Sequence, residues 1–320
     1  MRQDRKILVL GSRGLVGSSL VRELKKQGYK NVLHPVREEL DLSRQRDVLD
    51  YFFEKKPEYV FMAAGRVGGI KANNTYRADF ILQNLSIQNN VFEGSFKVGV
   101  KKLLFTGSSC IYPKNCSQPI KEEYLLSGEL EQTNEPYAIA KIAGLKTVES
   151  FRRQYGCNWF SVMPPNLYGP GDNFHPEDSH VIPGMIQRMK KVMDNGENIF
   201  EVWGSGNPKR EFLFVDDLAR ACLRLMQADK ELPYFINVGT GEDISIMELA
   251  EKIANLMGYK GKLGFNRNYP DGTMRKVLDI SKIKDFDWKP QVSIEDGLKI
   301  TIEYYLNENF AHNASVQQCT

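Results

Sequence analysis

Tyr137 and Lys141 stand four residues apart in Tyr137-Ala138-Ile139-Ala140-Lys141, directly after Pro136. On a helix, residues i and i+4 share one face a turn apart. An ammonium beside a phenol favours the phenolate and draws the tyrosine pKa toward working pH. On a solvated helix face the same pair is a common accident, so its meaning depends on its company. Ser108 supplies that company in Thr106-Gly107-Ser108-Ser109-Cys110, just past the apolar run 102–106 (KLLFT). If that run is a strand, Ser108 lies at its carboxyl end, where open α/β sheets bind ligands. A hydroxyl there polarises a substrate carbonyl alongside Tyr137.

A second group of residues points to a dinucleotide. Gly11-Ser12-Arg13-Gly14-Leu15-Val16-Gly17 follows the apolar run 6–10 (KILVL). Glycines there allow a tight turn, close approach of backbone to pyrophosphate, and close packing of helix on strand. The helix that follows offers unpaired N–H groups and the positive end of its dipole to phosphates. The spacing is G-x-x-G-x-x-G rather than G-x-G-x-x-G, and a plain strand-to-helix turn would use the same glycines. The next strand ends in His34-Pro35-Val36-Arg37, with no carboxylate before Glu38. Arg13 and Arg37 can fork a 2′-phosphate, so the cofactor expected is NADP rather than NAD.

The elements that must hold these residues alternate along the first half. Strands are expected at 6–10, 31–34, 59–63, 102–106 and 159–163, and helices from the glycine turn to about residue 27 and at 47–55, 78–97 and 136–155. Near-continuous apolar strands separated by helices imply a parallel sheet covered on both faces. The fold class is therefore α/β, a Rossmann-type doubly wound sheet with a smaller C-terminal α/β substrate-binding lobe. We expect an NADP-binding domain over 1–170 with strand returns near 212–240, a mainly substrate-binding lobe over 171–306, and a polar tail over 307–320.

Composition limits the alternatives. The 320 residues carry 43 Lys+Arg and 40 Asp+Glu, a net charge of +3, too small and dispersed for nucleic acid or an anionic membrane as the main partner. The five cysteines, Cys110, Cys116, Cys157, Cys222 and Cys319, show no metal-type spacing and no secreted framework. No metal is expected. The first apolar run stops at Gly11 and meets Arg13, so it reads as neither signal peptide nor anchor, and a cytoplasmic location is expected.

The glycine turn, the serine of TGSSC and YAIAK together resemble the extended short-chain dehydrogenase/reductase family. A narrower resemblance, to its GDP-L-fucose synthases, rests on longer stretches. These are VGGIKANNTY (67–76), GSSCIYP (107–113), NEPYAIAKIAG (134–144), NLYGPGDNFHPEDSHVIPG (166–184) and VWGSGNPKREFLFVDD (202–217). This resemblance implies an NADPH-dependent 3,5-epimerase and 4-reductase acting on GDP-4-keto-6-deoxy-D-mannose. The keto group acidifies the C3 and C5 protons, a base and an acid exchange them, and hydride then goes to C4 while Tyr137 supplies a proton.

By family position Cys110 and His180 are the epimerisation pair, beside Ser108, Tyr137 and Lys141. A thiol near about 8.5 and an imidazole near about 6.5 can both exchange protons around neutrality. Which is acid and which is base stays open, and a thiol in this place also suits a small core position. The resemblance adds Thr106, Gly107, Pro164, Asn166 and Leu167 to the cofactor contacts, with Ser108, Tyr137, Lys141 and His180 touching it too. Pro165 stands where relatives usually carry Thr, which removes a hydroxyl and an N–H from that loop. Arg188, Trp203, Arg210 and Lys276 are implied contacts to the GDP-sugar, with Lys262 and Asp271 as weaker candidates. Arg210 could instead pair with Asp216 or Asp217, and Trp203 could be core.

A homodimer is implied through helices 78–97 and 136–155, whose Phe80, Leu85, Phe92 and Ile142 could equally pack on their own sheet. Two other readings remain: a sister enzyme such as a GDP-L-colitose synthase, and a non-catalytic NADP sensor of the same fold.

Overall fold

The run Ile7–Leu10 (β1) is buried on both sides, and its alternate residues feed two different cores. Ile7 and Val9 join one hydrophobic cluster, Leu8 and Leu10 the other. Such two-sided burial requires a sheet covered by helices on each face, and each aliphatic side chain taken from water contributes about 1.5–3 kcal/mol. The structure, a computed structural model, describes residues 1–175, 179–269 and 271–317, with side chains to residue 307.

The first half runs α1 (Leu15–Lys26), β2 (Val32–Leu33), α2 (Gln45–Lys55), β3 (Tyr59–Met62), α3 (Ile70–Thr75), α4 (Arg77–Lys97), β4 (Lys102–Thr106), α5 (Glu135–Tyr155) and β5 (Trp159–Met163). Then come β6 (Asn166–Tyr168), α6 (Val181–Asp194), β7 (Ile199–Trp203), β8 (Lys209–Arg210), β9 (Phe212–Phe214), α7 (Val215–Gln227) and β10 (Phe235–Asn237). The rest is β11 (Ile244–Ser245), α8 (Ile246–Met257), β12 (Lys262–Asn266), β13 (Arg275–Lys276), α9 (Ser281–Lys284) and α10 (Ile294–Gln317).

Six strands form one parallel sheet in the order β10-β5-β4-β3-β1-β2. The order doubles back at β1, leaving a crevice between the carboxyl ends of β1 and its neighbours, the usual ligand position in such sheets. Helices α1 and α7 pack together, as do α2, α4 and α5. Beyond β5 the chain builds short ribbons: β6 with β9, β7 with β12, and β11-β8-β13. A separate core lies there, with Ile186, Met189, Phe200, Val202, Leu249 and Ile253 among its members.

Of the two alternatives for the apolar residues of α4 and α5, the structure favours packing within the chain. Phe80, Phe92 and Ile142 are buried within the chain and Leu85 is half-buried, because α4 and α5 pack on each other and the sheet. The exposed large apolar residues on these helices are Leu82, Phe96, Ile139 and Tyr155. The stretch after residue 306 is not simply a tail, since α10 continues to Gln317; residues 318–320 lie outside the described residues.

Candidate active site

A cleft of about 930 Å³ opens along the carboxyl ends of β1, β3 and β4 and reaches the loops after β5. At one end is the turn from β1 to α1. Gly11 has φ of +83°, and a Cβ on it would lie 2.8 Å from the Ala63 carbonyl. A Cβ on Gly17 would lie 2.0 Å from the Gly11 oxygen, so this glycine serves the contact of helix and turn and does not line the cleft. Every other residue expected at the cofactor does line it.

Helix α1 starts at Gly14 with no side-chain cap and no acidic residue in its first turn. Its first N–H groups therefore have no side-chain partner, and Gly14, Leu15 and Val16 present that end of the helix to the cleft. That is a site for a pyrophosphate, and a dinucleotide fits the residues present.

Ser12 lines the cleft, but its hydroxyl donates to the carbonyls of His34 at 3.0 Å and Pro35 at 3.1 Å, tying the turn to the end of β2. Arg13 pairs with Glu38 at 3.3 Å, both groups exposed, a weak contact that yields readily to a phosphate. Arg37 lines the cleft beside Asp41. Hydrogen bonds from Ser43 hold the Asp41 carboxyl below its usual range, with Arg37 and Arg44 adding to the effect.

At the centre, β4 and the first turn of α5 bring the predicted chemical group together. Lys141 Nζ donates to the Thr106 carbonyl at 2.8 Å and lies 5.7 Å from the centroid of the Tyr137 ring. Burial lowers the pKa of this amine to about 8, with Cys110 acting the other way. Loss of hydration pushes the pKa of the Tyr137 phenol well above the ordinary value, with Cys110 adding to the effect and Ser108 opposing it. This corrects the expectation of a phenol drawn down by Lys141. The ammonium is anchored on the Thr106 carbonyl, and desolvation is the largest influence on the phenol. The phenol stays protonated, the state required of a group that gives a proton to an alkoxide.

Ser108 also caps the short 3-10 turn over Ser109–Ile111, its Oγ accepting from the Cys110 amide at 3.3 Å. Burial raises the Cys110 thiol pKa, opposed first by Lys276 and then by its hydrogen bond to Ser108 and by Lys141. This thiol borders the cleft and has two cations acting on it, unlike Cys222, which is enclosed in the core. His180 is the residue before α6 and faces the same cleft, whose walls desolvate the imidazole and lower its pKa.

The far end is built on the ribbons. Arg188, on α6, donates to the Glu201 carbonyl at 2.9 Å and lies 4.0 Å from the centroid of the Trp203 ring. Desolvation lowers its pKa to about 10. Trp203 is 36% exposed and stacks on Tyr269 at 4.4 Å and 10°, so it is no core residue. Arg210 lies near Asp271, while Asp216 pairs with Arg22 and Asp217 with Arg220. Asp271 accepts from the Ser205 amide at 2.6 Å, which fixes the turn after Trp203. Lys276 pairs with Arg210 in the β8–β13 register and reaches the cleft beside Cys110. Lys262 is set apart: it pairs with Ile199, whereas Asn266 at the other end of β12 pairs with Trp203. Of the six residues expected at the sugar only Lys276 lines the cleft; Arg188, Trp203, Arg210, Lys262 and Asp271 do not.

Three residues at the site escaped the sequence reading. Asp172 lines the cleft with Oδ1 accepting from the Asn173 amide at 2.8 Å and Oδ2 buried without a partner, and burial raises its pKa to about 7. The turn glycines Gly169 and Gly171 around Pro170 were the available clue. Tyr269 shows itself only through its stack on Trp203. Glu211 reads in sequence as one charge in a polar strand, yet it is fully buried.

The chain matches the NAD dependent epimerase/dehydratase family over residues 7–239. GDP-L-fucose synthase 1 of Arabidopsis thaliana is 53% identical, the match covering 95% of this chain and 94% of that protein. GDP-L-fucose synthase of Escherichia coli (strain K12) is 48% identical, with 94% and 97% covered. The crystal structure of a GDP-L-fucose synthetase from Naegleria fowleri bound to NADP superimposes with a TM-score of 0.88 at 30% identity, covering 97% of this chain and 95% of that one. A glycine turn, a Ser-Tyr-Lys group and Lys276 on one cleft agree with these likenesses, and the chain belongs to the NAD dependent epimerase/dehydratase family, among its GDP-L-fucose synthases.

Proposed function

We propose that this chain is an NADPH-dependent 3,5-epimerase and 4-reductase that converts GDP-4-keto-6-deoxy-D-mannose to GDP-L-fucose. The observation that carries the reading is the meeting of Ser108, Cys110, Tyr137, Lys141 and His180 on one cleft with the uncapped start of α1 and with Lys276, the strand partner of Arg210. NADPH, when bound, supplies the hydride for C4.

The chain's own residues do the rest. The start of α1 holds the pyrophosphate, and Arg37, with Arg13 once released from Glu38, holds the 2′-phosphate. Ser108 and Tyr137 hydrogen-bond the 4-keto oxygen. Charge left by loss of a C3 or C5 proton spreads onto that oxygen, where those donors stabilise it. Cys110 and His180 take and return the protons on opposite faces of the ring. After epimerisation Tyr137 gives its proton to the C4 oxygen, and the nearby Lys141 ammonium favours the phenolate left behind. Arg188, Trp203 and Arg210 bind the GDP portion, and the turn carrying Asp271 holds Trp203 and Arg210 in place.

The cofactor is held mainly by residues 1–170 with the returns near 212–240, and the sugar by 171–306. Leu82 and Ile139, exposed on α4 and α5, suit a homodimer interface. Among the described residues no helix is long and apolar enough to cross a membrane, and Cys110, Cys116, Cys157 and Cys222 are free thiols, which supports a cytoplasmic setting.

The test is incubation with GDP-4-keto-6-deoxy-D-mannose and NADPH, with NMR of the product. GDP-L-fucose with matching NADPH oxidation is expected. Strong preference for the 3-deoxy ketosugar would favour the colitose-type enzyme, and NADPH binding without turnover would favour a sensor.

A further inference from the structure

Glu211 lies between Arg210 and Phe212 and has no exposed surface, yet no cation pairs with its carboxylate among the described contacts. Four donors hold it instead. Oε1 accepts from the amides of Thr240 at 2.6 Å and Gly241 at 2.8 Å and from the Thr240 hydroxyl at 3.3 Å; Oε2 accepts from the Leu278 amide at 2.7 Å. Gly239 is bare for the same reason, since a Cβ there would lie 2.1 Å from Oε1. The main chain of Glu211 is equally engaged. Its amide donates to the Lys276 carbonyl at 3.2 Å, and its carbonyl accepts from Asn166 Nδ2 at 3.0 Å.

The segments joined here are those that carry the site. Arg210 is the preceding residue, Lys276 is two residues before Leu278, and Asn166 opens β6 and lines the cleft. β8 and β13 are each only two residues long, too short to hold register by ladder bonds alone. A second strap holds the same segment: the Val277 amide donates to Gln118 Oε1 at 2.9 Å.

We propose that Glu211 is the positioning residue of the sugar-binding half, clamping the Lys276 segment to the Arg210 strand so that the Lys276 ammonium is kept beside Cys110. This rests on the function proposed above. Lys276 then serves the epimerisation centre by stabilising the Cys110 thiolate, and Arg210 faces the diphosphate. An amide in place of the carboxylate must turn an N–H toward one of its donors, so Glu211→Gln breaks the clamp at Leu278 or at Thr240 and Gly241 without changing shape.

The test compares wild type, Glu211→Gln and the milder Gln118→Ala, which loses only the Val277 bond. For Glu211→Gln we expect the ketosugar KM to rise and solvent deuterium exchange at C3 and C5 to fall, each about tenfold, with NADPH Kd within about twofold of wild type. Gln118→Ala should move the first two in the same direction by about threefold. If Glu211→Gln does not fold, Gln118→Ala decides. Wild-type KM and exchange in every folded variant would overturn the proposal, as would equal losses of NADPH and sugar binding in Glu211→Gln with no effect in Gln118→Ala. A wild-type chain inert toward the ketosugar would instead strike the proposed function. The clamp is then judged by titration with GDP-mannose: weaker binding in both variants supports it, unchanged binding refutes it.

Discussion

The proposed catalytic centre and the proposed sugar-binding side are held in different ways. At the catalytic centre, Ser108, Tyr137 and Lys141 hang from the end of β4 and the start of α5, elements fixed by the sheet core around Leu104, Phe105 and Trp159. At the sugar end, Trp203, Arg210 and Lys276 sit on ribbons of two to five residues braced by side-chain stacks and backbone straps, with Arg188 of α6 packed on Trp203. Hydrophobic burial over a whole sheet positions groups cheaply and rigidly. Short ribbons need individual polar ties, each worth only about 0.5–1.5 kcal/mol net. On the proposed function, chemistry is thereby placed on the end braced by the sheet and recognition on the end held by single ties.

This contrast can be broken at either end. Lys141→Met should have the largest effect, lowering ketosugar reduction by roughly 10²–10⁴ while leaving the fold and GDP-mannose binding intact; single-turnover NADPH oxidation measures it. The same amine sets a pH limit. Its pKa is lowered to about 8, so the ammonium is present below that pH and lost above it. Reduction should decline as pH rises through about 8 in wild type and lose that limb in Lys141→Met. Cys110→Ser should cut deuterium exchange at C3 and C5 by about 10² while NADPH Kd stays unchanged, since the thiol does not hold the cofactor. Unchanged exchange would remove Cys110 from the epimerisation pair. The smallest effect belongs to the end held by single ties. Arg188→Leu removes the cation stacked on Trp203 and should raise the ketosugar KM about tenfold with kcat within about threefold.

Legibility in the sequence divides along the same line. KILVL, KLLFT and the strand 159–163 announce themselves because a two-sided buried strand must be apolar throughout, and the glycine turn follows the first of them. Tyr137, Lys141 and Ser108 could be placed on one site because the topology of a parallel sheet leaves few choices. Residue pairings on the ribbons were not readable. Whether Lys262 or Asn266 meets Trp203 depends on the register of β12 against β7, two strands far apart in sequence whose pairing neither run states alone. The Glu211 carboxylate is satisfied by backbone amides from residues 240, 241 and 278, and amides carry no sequence signature. The Tyr137 phenol was misjudged in direction because spacing reveals a neighbouring charge but not the loss of hydration.

The most direct measurement is made on one sample: Tyr137→Phe with GDP-4-keto-6-deoxy-D-mannose and NADPH in deuterium oxide, followed by NMR and NADPH absorbance. Deuterium should enter at C3 and C5 while NADPH remains unoxidised, because proton exchange belongs to Cys110 and His180 and protonation of the C4 oxygen to Tyr137. NADPH oxidation at the wild-type rate, or loss of exchange together with reduction, would contradict that division of labour.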